Sequence, residues 1–245
     1  MTPHRAARRT RRLLPLATLL LAGSLTLSGC EIGNSPADSP SRTAPASGGG
    51  TALRAVGELT VKGRAPKTGY DRDKFGSPWL DTDHNGCGTR DDILADQLDS
   101  VSRASDGCKV LRGVLDPDPY TGTRITFIRG RSKVDIDHLV ALSDAWQKGA
   151  QQWSDSKRRA FANDPLNLVA ADSSTNRQKG DGDTATWLPP NKSYRCDYVA
   201  GQVSVKTKYQ LWVTRAEKDA MAKVLAACPN QKLPSGGSPT EVAAP

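Results

Sequence analysis

The residues best suited to chemistry lie within positions 135–180. Asp137 and His138 end a short β-branched run, and Asn167 and Asn176 follow further along the chain. A hard divalent cation takes oxygen ligands, which the Asp137 carboxylate and the Asn176 amide oxygen can supply. An imidazole beside such a cation can deprotonate a water molecule, and the cation can stabilise charge on a phosphoryl oxygen. These residues therefore predict hydrolysis of a phosphodiester.

Their order (Asp-His, then Asn-Leu, then Asn-x-x-Lys) resembles the HNH (ββα-metal) endonuclease motif. The chain is similar to the branch in which Asn replaces the last His, as in GmrSD-type domains. Longer words resemble those of exported actinobacterial proteins: DHLVALSDAWQKGA, FANDPLNLVA and NKSYRC. The resemblance covers residues 81–227. It implies that His138 is the general base, that Asn167 shapes the metal-binding loop, and that Asp137 and Asn176 bind one ion. Because Asn is a weaker ligand than His, we expect Mg²⁺ or Mn²⁺.

Basic residues inside or beside this motif are the candidate substrate contacts. Lys179 lies three residues after Asn176, so the two share one face of a predicted helix. With Arg177 and Arg129, it is expected to contact nucleic acid, DNA being the first choice. The formal charge of +8 adds nothing to this argument, because loss of the five arginines before Leu13 lowers it to +3. Bulk charge near neutrality does not mark a nucleic-acid-binding protein, and no protein partner is inferred.

The first 30 residues indicate export. A basic head and an apolar stretch over residues 13–27 precede Leu27-Ser28-Gly29-Cys30, which resembles a lipobox. We expect residues 1–29 to be a signal peptide, with lipid on the Cys30 sulfur holding the protein at the outer face of the cytoplasmic membrane. A retained membrane anchor is the alternative, although this stretch is shorter than the roughly 20 residues of a spanning helix. The export route and release into the medium stay open.

Composition divides the remainder of the chain. Residues 30–50 are rich in Ser, Pro, Ala and Gly and predict a flexible tether. Residues 51–232 are long enough for one HNH nuclease-like domain. Residues 233–245 repeat the composition of the tether and predict a disordered tail.

Four cysteines remain once Cys30 is assigned to lipid, and an exported protein can oxidise them. Three pairings are possible. We favour Cys87–Cys108 and Cys196–Cys228, because each pair flanks a helical pattern and stays within one part of the chain. A zinc site is the competing interpretation, but the close Cys spacing of a zinc knuckle is not present.

Hydrophobic periodicity and the resemblance together predict an α+β fold: a ββα-metal core with additional helices and a small sheet, stapled by disulfides. Strands are predicted over residues 108–115, 124–128, 134–136 and 166–170. Helices are predicted over residues 90–101, 141–148, 154–162, 194–209 and 214–227, and another helix, capped by Ser173 or Ser174, presents Asn176.

Residues 81–92 imitate part of an EF-hand calcium loop, since Asp81 and Asp83 lie at ligand spacing. The twelfth position, however, holds Asp92 rather than Glu, and Pro78 disfavours an incoming helix. An Asx-rich turn that leads into a helix is the alternative interpretation.

Two further functions stay open beside the endonuclease. One is a non-catalytic surface lipoprotein of the same fold that binds nucleic acid or cell-wall polymer. The other is a hydrolase of a different phosphodiester, such as teichoic acid. An Asp-His pair alone would not separate these functions, because buried histidines are often hydrogen-bonded core residues. The complete set of four motif positions favours catalysis.

Overall fold

The computed structural model describes residues 51–131 and 133–242. These residues form seven α-helices and five β-strands, and the predicted α+β fold is confirmed. The helices are α1 (Ala52–Glu58), α2 (Thr89–Gln97), α3 (Leu142–Gln147), α4 (Asp155–Ala162), α5 (Ser173–Lys179), α6 (Arg195–Tyr209) and α7 (Arg215–Ala226). Short 3-10 helices cover Arg72–Phe75, Ala150–Gln152, Pro165–Asn167 and Lys192–Tyr194.

The strands form two antiparallel sheets. β1 (Asp99–Arg103), β2 (Val110–Leu115) and β3 (Ile125–Ile128) make a three-stranded sheet in that order. β4 (Val134–His138) pairs with β5 (Leu168–Asp172) in a register that sets Asp137 opposite Val169 and His138 opposite Leu168. Because α5 begins directly after β5, these three elements have the strand–strand–helix order of a ββα unit.

The β4–β5 pair lies between two parts of the hydrophobic core. Val134 and Ile136 pack into one part, which also contains α2 and the inner face of the three-stranded sheet. Val169 packs into the other part, which α1, α6 and α7 fill. Side chains alternate between the two faces of a strand. The alternation therefore directs His138 and Asp137, which are neighbours in sequence, to opposite faces of β4.

Local sequence explains where most helices begin. Thr214 and Glu217 form the predicted capping box at the start of α7, and Ser154 caps α4 as predicted. The cap of α5 differs from the prediction. Asp172, rather than Ser173 or Ser174, accepts a hydrogen bond from the backbone N–H of Thr175.

The end of α2 also differs from the prediction. A helix is expected to reach residue 101, but α2 ends at Gln97 and β1 begins at Asp99. Leu98 is buried in an extended conformation and ends the helix. Ser and Val have low helix propensity, so the Ser-Val-Ser run that follows gains more by pairing with the edge of β2.

Both disulfides favoured from the sequence are present. Cys87 bonds to Cys108, with 5.2 Å between Cα atoms, and links the loop before α2 to the segment before β2. Cys196 bonds to Cys228, with 6.5 Å between Cα atoms, and links the start of α6 to the chain after α7. Because the four sulfurs form two disulfide bonds, none of them is a zinc ligand.

Residues 233–242, which belong to the predicted disordered tail, make hydrogen bonds to the domain. Backbone oxygens of this segment accept hydrogen bonds from Ser204 and Lys208 of α6, and the Ser238 N–H donates to Asp164. Composition could not reveal these bonds, because their partners are distant in sequence.

The predicted signal peptide (residues 1–29), the Cys30 lipidation site and the tether (residues 30–50) lie outside the described residues. The same holds for residue 132 and residues 243–245. Within the part of the chain that the structure describes, no helix combines the length and the hydrophobicity needed to cross a membrane.

Candidate active site

His138 is the last residue of β4 and lies beside the end of α4. Its Nε2 atom is 2.9 Å from the carbonyl oxygen of Ala162, the last residue of α4. A carbonyl oxygen can only accept a hydrogen bond, so Nε2 must carry the proton of the neutral ring. The lone pair then lies on Nδ1. His138 is therefore held in the tautomer in which Nδ1 can act as a base.

The ring of His138 is uncharged at neutral pH. Its side chain is buried, with 6% exposed. Burial lowers the pKa of His138 to about 4, although the hydrogen bond to Ala162 and the charge of Asp137 raise it. The positive charge of Arg72 lowers this pKa as well. Trp79 lies nearly parallel to the ring, at 15°, with 6.3 Å between the ring centroids. The site thus holds a neutral imidazole with little contact to solvent.

Asn167 fixes the turn that follows His138. Its side-chain oxygen accepts a hydrogen bond from the Val140 N–H at 2.9 Å, and its side-chain nitrogen donates to the Val140 carbonyl at 3.3 Å. The carbonyl oxygen of Asn167 accepts a bond from the Leu139 N–H at 2.8 Å. Asn167 is completely buried. It contacts the backbone next to His138 and not the imidazole itself.

Asp137 takes part in a separate buried cluster on the opposite face of β4, which we call the site cluster (Asp137, Lys179 and Tyr120). The ammonium of Lys179 lies 2.9 and 3.1 Å from the two Asp137 oxygens and 2.8 Å from the His138 carbonyl. Tyr120 donates its hydroxyl to Asp137 at 2.5 Å. Burial, followed by the charge of Asp137, raises the pKa of Tyr120 well above its usual range. Lys179 and Tyr120 therefore bind both carboxylate oxygens.

This arrangement does not fit the expected role of Asp137 as the ligand of a divalent ion. A cation would have to compete with the ammonium of Lys179 for a carboxylate that is itself only 8% exposed. Asn176 lies half-buried on α5, one turn before Lys179. Over residues 51–131 and 133–242, no group of three His, Cys, Asp or Glu side chains is placed to hold a metal ion.

The three basic residues predicted to contact substrate have different environments. Lys179 is fully buried, so its ammonium is committed to the site cluster. Arg129 is half-buried and pairs with Asp91, so it stabilises the packing of α2 against the end of β3. Arg177 is exposed on α5 and is free to meet a ligand from solvent. Of the three, Arg177 is the most accessible to a substrate.

Sequence reasoning did not identify several residues that contact the site. Tyr120 lies in a Pro- and Gly-containing loop, and nothing in its spacing relates it to Asp137. Arg90 lies over the ring of Trp79, at 5.7 Å from its centroid. Trp79 itself resembles an ordinary aromatic anchor of a loop. The alternation of faces along β4 was the one sequence signal that could have separated the environments of Asp137 and His138.

Comparison with known proteins gives two matches. Residues 88–224, more than half of the chain, match the family described as "GmrSD restriction endonucleases, C-terminal domain". A protein of Arthroderma benhamiae, described as "Uncharacterized secreted protein", is 40% identical over 181 residues, which are 73% of this chain and 85% of the relative. No solved structure gives a significant match. The family match covers the whole of the β4–β5–α5 unit.

Proposed function

Since the chain belongs to the family of the GmrSD restriction endonuclease C-terminal domain, we propose that it is an endonuclease that hydrolyses phosphodiester bonds of nucleic acid. DNA is the substrate we propose first. One observation carries the proposal: Nε2 of His138 lies 2.9 Å from the Ala162 carbonyl oxygen, and because that oxygen can only accept, Nδ1 is left as the basic nitrogen of the neutral ring. Asn167 supports this arrangement, because it fixes the turn next to His138.

The reaction needs His138 to accept one proton and to release it afterwards. Nδ1 takes a proton from a water molecule while the water oxygen forms a bond to phosphorus. The phosphorus bond to the leaving oxygen breaks, and that oxygen takes a proton from solvent. The imidazolium then returns its proton to solvent. A general base of this kind typically contributes about 10²–10⁴-fold to the rate. Exposed Arg177 and Arg72 are the side chains we propose to contact the phosphate groups.

The family resemblance also implies a divalent ion, but no step of this mechanism passes through one. The partners of Asp137 are the reason, since its oxygens bind Lys179 and Tyr120. If cleavage required Mg²⁺ or Mn²⁺, Asp137 would have to release at least one of these partners when the ion binds. The assay below includes that comparison.

We further propose that the protein works outside the cytoplasm. The relative from Arthroderma benhamiae is described as secreted, and the four domain cysteines form two disulfides. Disulfides persist mainly in oxidising compartments. The N-terminal segment predicts a lipid anchor on Cys30, which mass spectrometry of the membrane-extracted protein would detect as a diacylglycerol adduct.

The test uses the full chain, purified in detergent, with plasmid DNA, single-stranded DNA or RNA in the presence of Mg²⁺, Mn²⁺ or EDTA. We expect cleavage by the parent and loss of most turnover in His138→Ala. His84→Ala is the matched control, because His84 is exposed on the loop before α2 and should leave turnover unchanged. Equal cleavage by His138→Ala and the parent would show that His138 is not the base.

A non-catalytic role in binding nucleic acid or cell-wall polymer is the second candidate. The burial of His138 and the commitment of Asp137 to Lys179 favour it, because both limit access to the site. Retention of DNA by the parent with no cleavage under any of these conditions would support this candidate and contradict the first.

A further inference from the structure

Trp79 is the aromatic neighbour that lies against the imidazole of His138. The two rings are within 15° of parallel, with 6.3 Å between centroids. The Nε2 edge of His138 is bonded to Ala162. With one edge bonded and one face covered, the imidazole cannot rotate without losing a contact. This is the constraint a base needs if Nδ1 is to point in one direction.

The backbone holds Trp79 in an unfavourable conformation. Its φ angle is 61°, in the left-handed region that non-glycine residues rarely adopt. Such conformations persist where the surroundings fix them, and they occur preferentially at functional sites. Here the next residue is held on both sides. The Leu80 N–H donates to Asn163 at 3.0 Å, and the Leu80 carbonyl accepts from Thr89.

The same short segment of chain also holds His138. Asn163, which binds Leu80, directly follows Ala162, whose carbonyl binds the imidazole. Asn163 is almost completely buried and also donates to the Arg159 carbonyl at 2.9 Å. A shift of the Trp79 loop would therefore reach the carbonyl that orients the base.

The Cys87–Cys108 disulfide ties the loop between Leu80 and α2 to the segment before β2. Its other side-chain bonds lie largely within the loop, among Asp81, Asp83 and Asn85. The end of the loop also packs closely against Trp79, because a Cβ atom on Gly88 would lie 2.8 Å from the Trp79 carbonyl oxygen. The disulfide therefore restricts where the loop can lie and adds to the Leu80 bonds that hold Trp79.

We propose that Trp79 is a positioning residue for His138 and that the Cys87–Cys108 disulfide holds Trp79 in place. The effect on turnover rests on the proposed function, whereas the effect on the imidazole does not. A direct consequence is redox dependence: the site is fully assembled only when Cys87 and Cys108 are oxidised.

The first test compares Trp79→Ala with Trp79→Phe in the full chain. Diethyl pyrocarbonate labels accessible neutral imidazoles, and mass spectrometry reads each histidine separately. We expect faster labelling of His138 in Trp79→Ala and near-parent labelling in Trp79→Phe, which keeps an aromatic ring. Exposed His84 serves as the internal reference for these two variants, because its side chain already lies in solvent.

Turnover gives the second readout. In Trp79→Ala, kcat should fall roughly 10²-fold, as expected for a misplaced base, while KM changes little because Trp79 lies against the base. Trp79→Phe should recover most of the loss. A rise in kcat in Trp79→Ala would overturn the proposal, because Trp79 would then be blocking the site. Labelling of His138 at the parent rate in Trp79→Ala would overturn it too, even if the parent cleaves no nucleic acid.

The two disulfides provide a matched comparison. Cys87→Ser with Cys108→Ser should reproduce the labelling and turnover of Trp79→Ala. Cys196→Ser with Cys228→Ser removes the bridge at the far ends of α6 and α7 and should leave both at the parent level. Circular dichroism identifies a temperature at which all variants are folded. Equal effects of the two double variants there would contradict a specific link between Cys87–Cys108 and His138.

Discussion

The protein contains two largely buried groups of charged side chains whose charges are matched differently. The first, which we call the ion network, has three cations and three anions, and each carboxylate lies within 3.2 Å of at least two cations. It joins α3, α6 and α7 to the segment after α1 and to the segment between α5 and α6. Its members are Arg64, Asp144, Lys148, Asp183, Lys206 and Glu217.

The second is the site cluster, in which one carboxylate meets one ammonium and one phenol. Lys179 makes its third bond to the backbone carbonyl of His138 rather than to another acid. The ion network is thus closed on itself and fastens helices to one another. The site cluster is open at one end and fastens α5 to the strand end that carries the base. The difference indicates that one group serves stability alone and the other also serves geometry.

Removing the central cation of the ion network should have the largest effect on stability. Lys148 contacts Asp144, Asp183 and Glu217 and is fully buried. Breaking a buried pair by removing one partner typically costs about 3–5 kcal/mol. We expect Lys148→Met to lower the free energy of unfolding by this amount in urea titrations, with kcat per folded molecule unchanged.

Lys67→Met is the control for that measurement. Lys67 pairs with Asp181 at 3.0 Å, but both side chains are about half exposed. Exposed pairs contribute about 0–1 kcal/mol. If Lys67→Met and Lys148→Met were equally destabilising, burial would not explain the contribution of the ion network to stability.

Lys179→Met should lower both stability and activity, which distinguishes the site cluster from the ion network. Asp137 would keep Tyr120 but lose its countercharge, at a cost of roughly 3 kcal/mol. The His138 carbonyl would lose its donor as well, and a base displaced by about 1 Å can lose roughly 10²-fold in rate. Unfolding in urea and kcat on DNA measure the two effects.

Adding Asp137→Asn to Lys179→Met sharpens this test. The second substitution removes the uncompensated charge, so stability should partly recover while kcat stays low. A Lys179→Met protein that is destabilised but fully active would place the site cluster in the same class as the ion network.

The sequence predicted those features that depend on local chemistry. Thr214 and Glu217 lie three apart, as a capping box requires, and the order of β4, β5 and α5 follows from hydrophobic runs and turn residues. The disulfide pairing was accessible because each pair lies beside helical patterns and stays within one part of the chain. In contrast, β1 forms because an edge of β2 is available, and the residues of β1 do not encode that edge.

The environment of the site could not be predicted in the same way. Lys179 was expected to contact nucleic acid, but it is buried against Asp137, from which it is 42 residues distant in sequence. Only the packing of α5 on β4 brings the two together. Trp79 reaches His138 from a loop 59 residues earlier, across a left-handed turn that its sequence does not require.

His138, which lies next to the site cluster, and the ion network should also lose their contributions to stability in different ranges of pH. Burial lowers the pKa of His138 from 6.5 to about 4, so between these values the unfolded chain binds a proton that the folded protein does not. The free energy of unfolding should therefore fall as the pH drops from about 6.5 to 4, by on the order of 3 kcal/mol.

Asp183 in the ion network also loses its contribution as the pH falls, but over a lower range of pH. Burial raises the pKa of Asp183. The hydrogen bond and charge of Lys148, together with the charge of Arg64, lower this pKa by more, so that it lies below 3.8. Its contribution is present above pH 3.8 and is lost only at lower pH. Urea titrations in EDTA across both pH ranges should show the fall in the free energy of unfolding between about pH 6.5 and 4 in the parent but not in His138→Gln. If His138→Gln showed the same fall as the parent, that pH dependence would not come from His138.

Tyr120→Phe should have the smallest effect, and it tests whether the two buried groups are independent. Asp137 would lose one donor but keep Lys179, so the expected destabilisation is about 1 kcal/mol. Because Tyr120 and Lys179 bind the same carboxylate, Tyr120→Phe and Lys179→Met should not be additive, with a coupling of roughly 0.5–3 kcal/mol. Tyr120→Phe and Lys148→Met share no partner and should add within about 0.5 kcal/mol. Coupling of similar size in both cycles would mean that the site cluster and the ion network act as one unit, and the division drawn between them would be wrong.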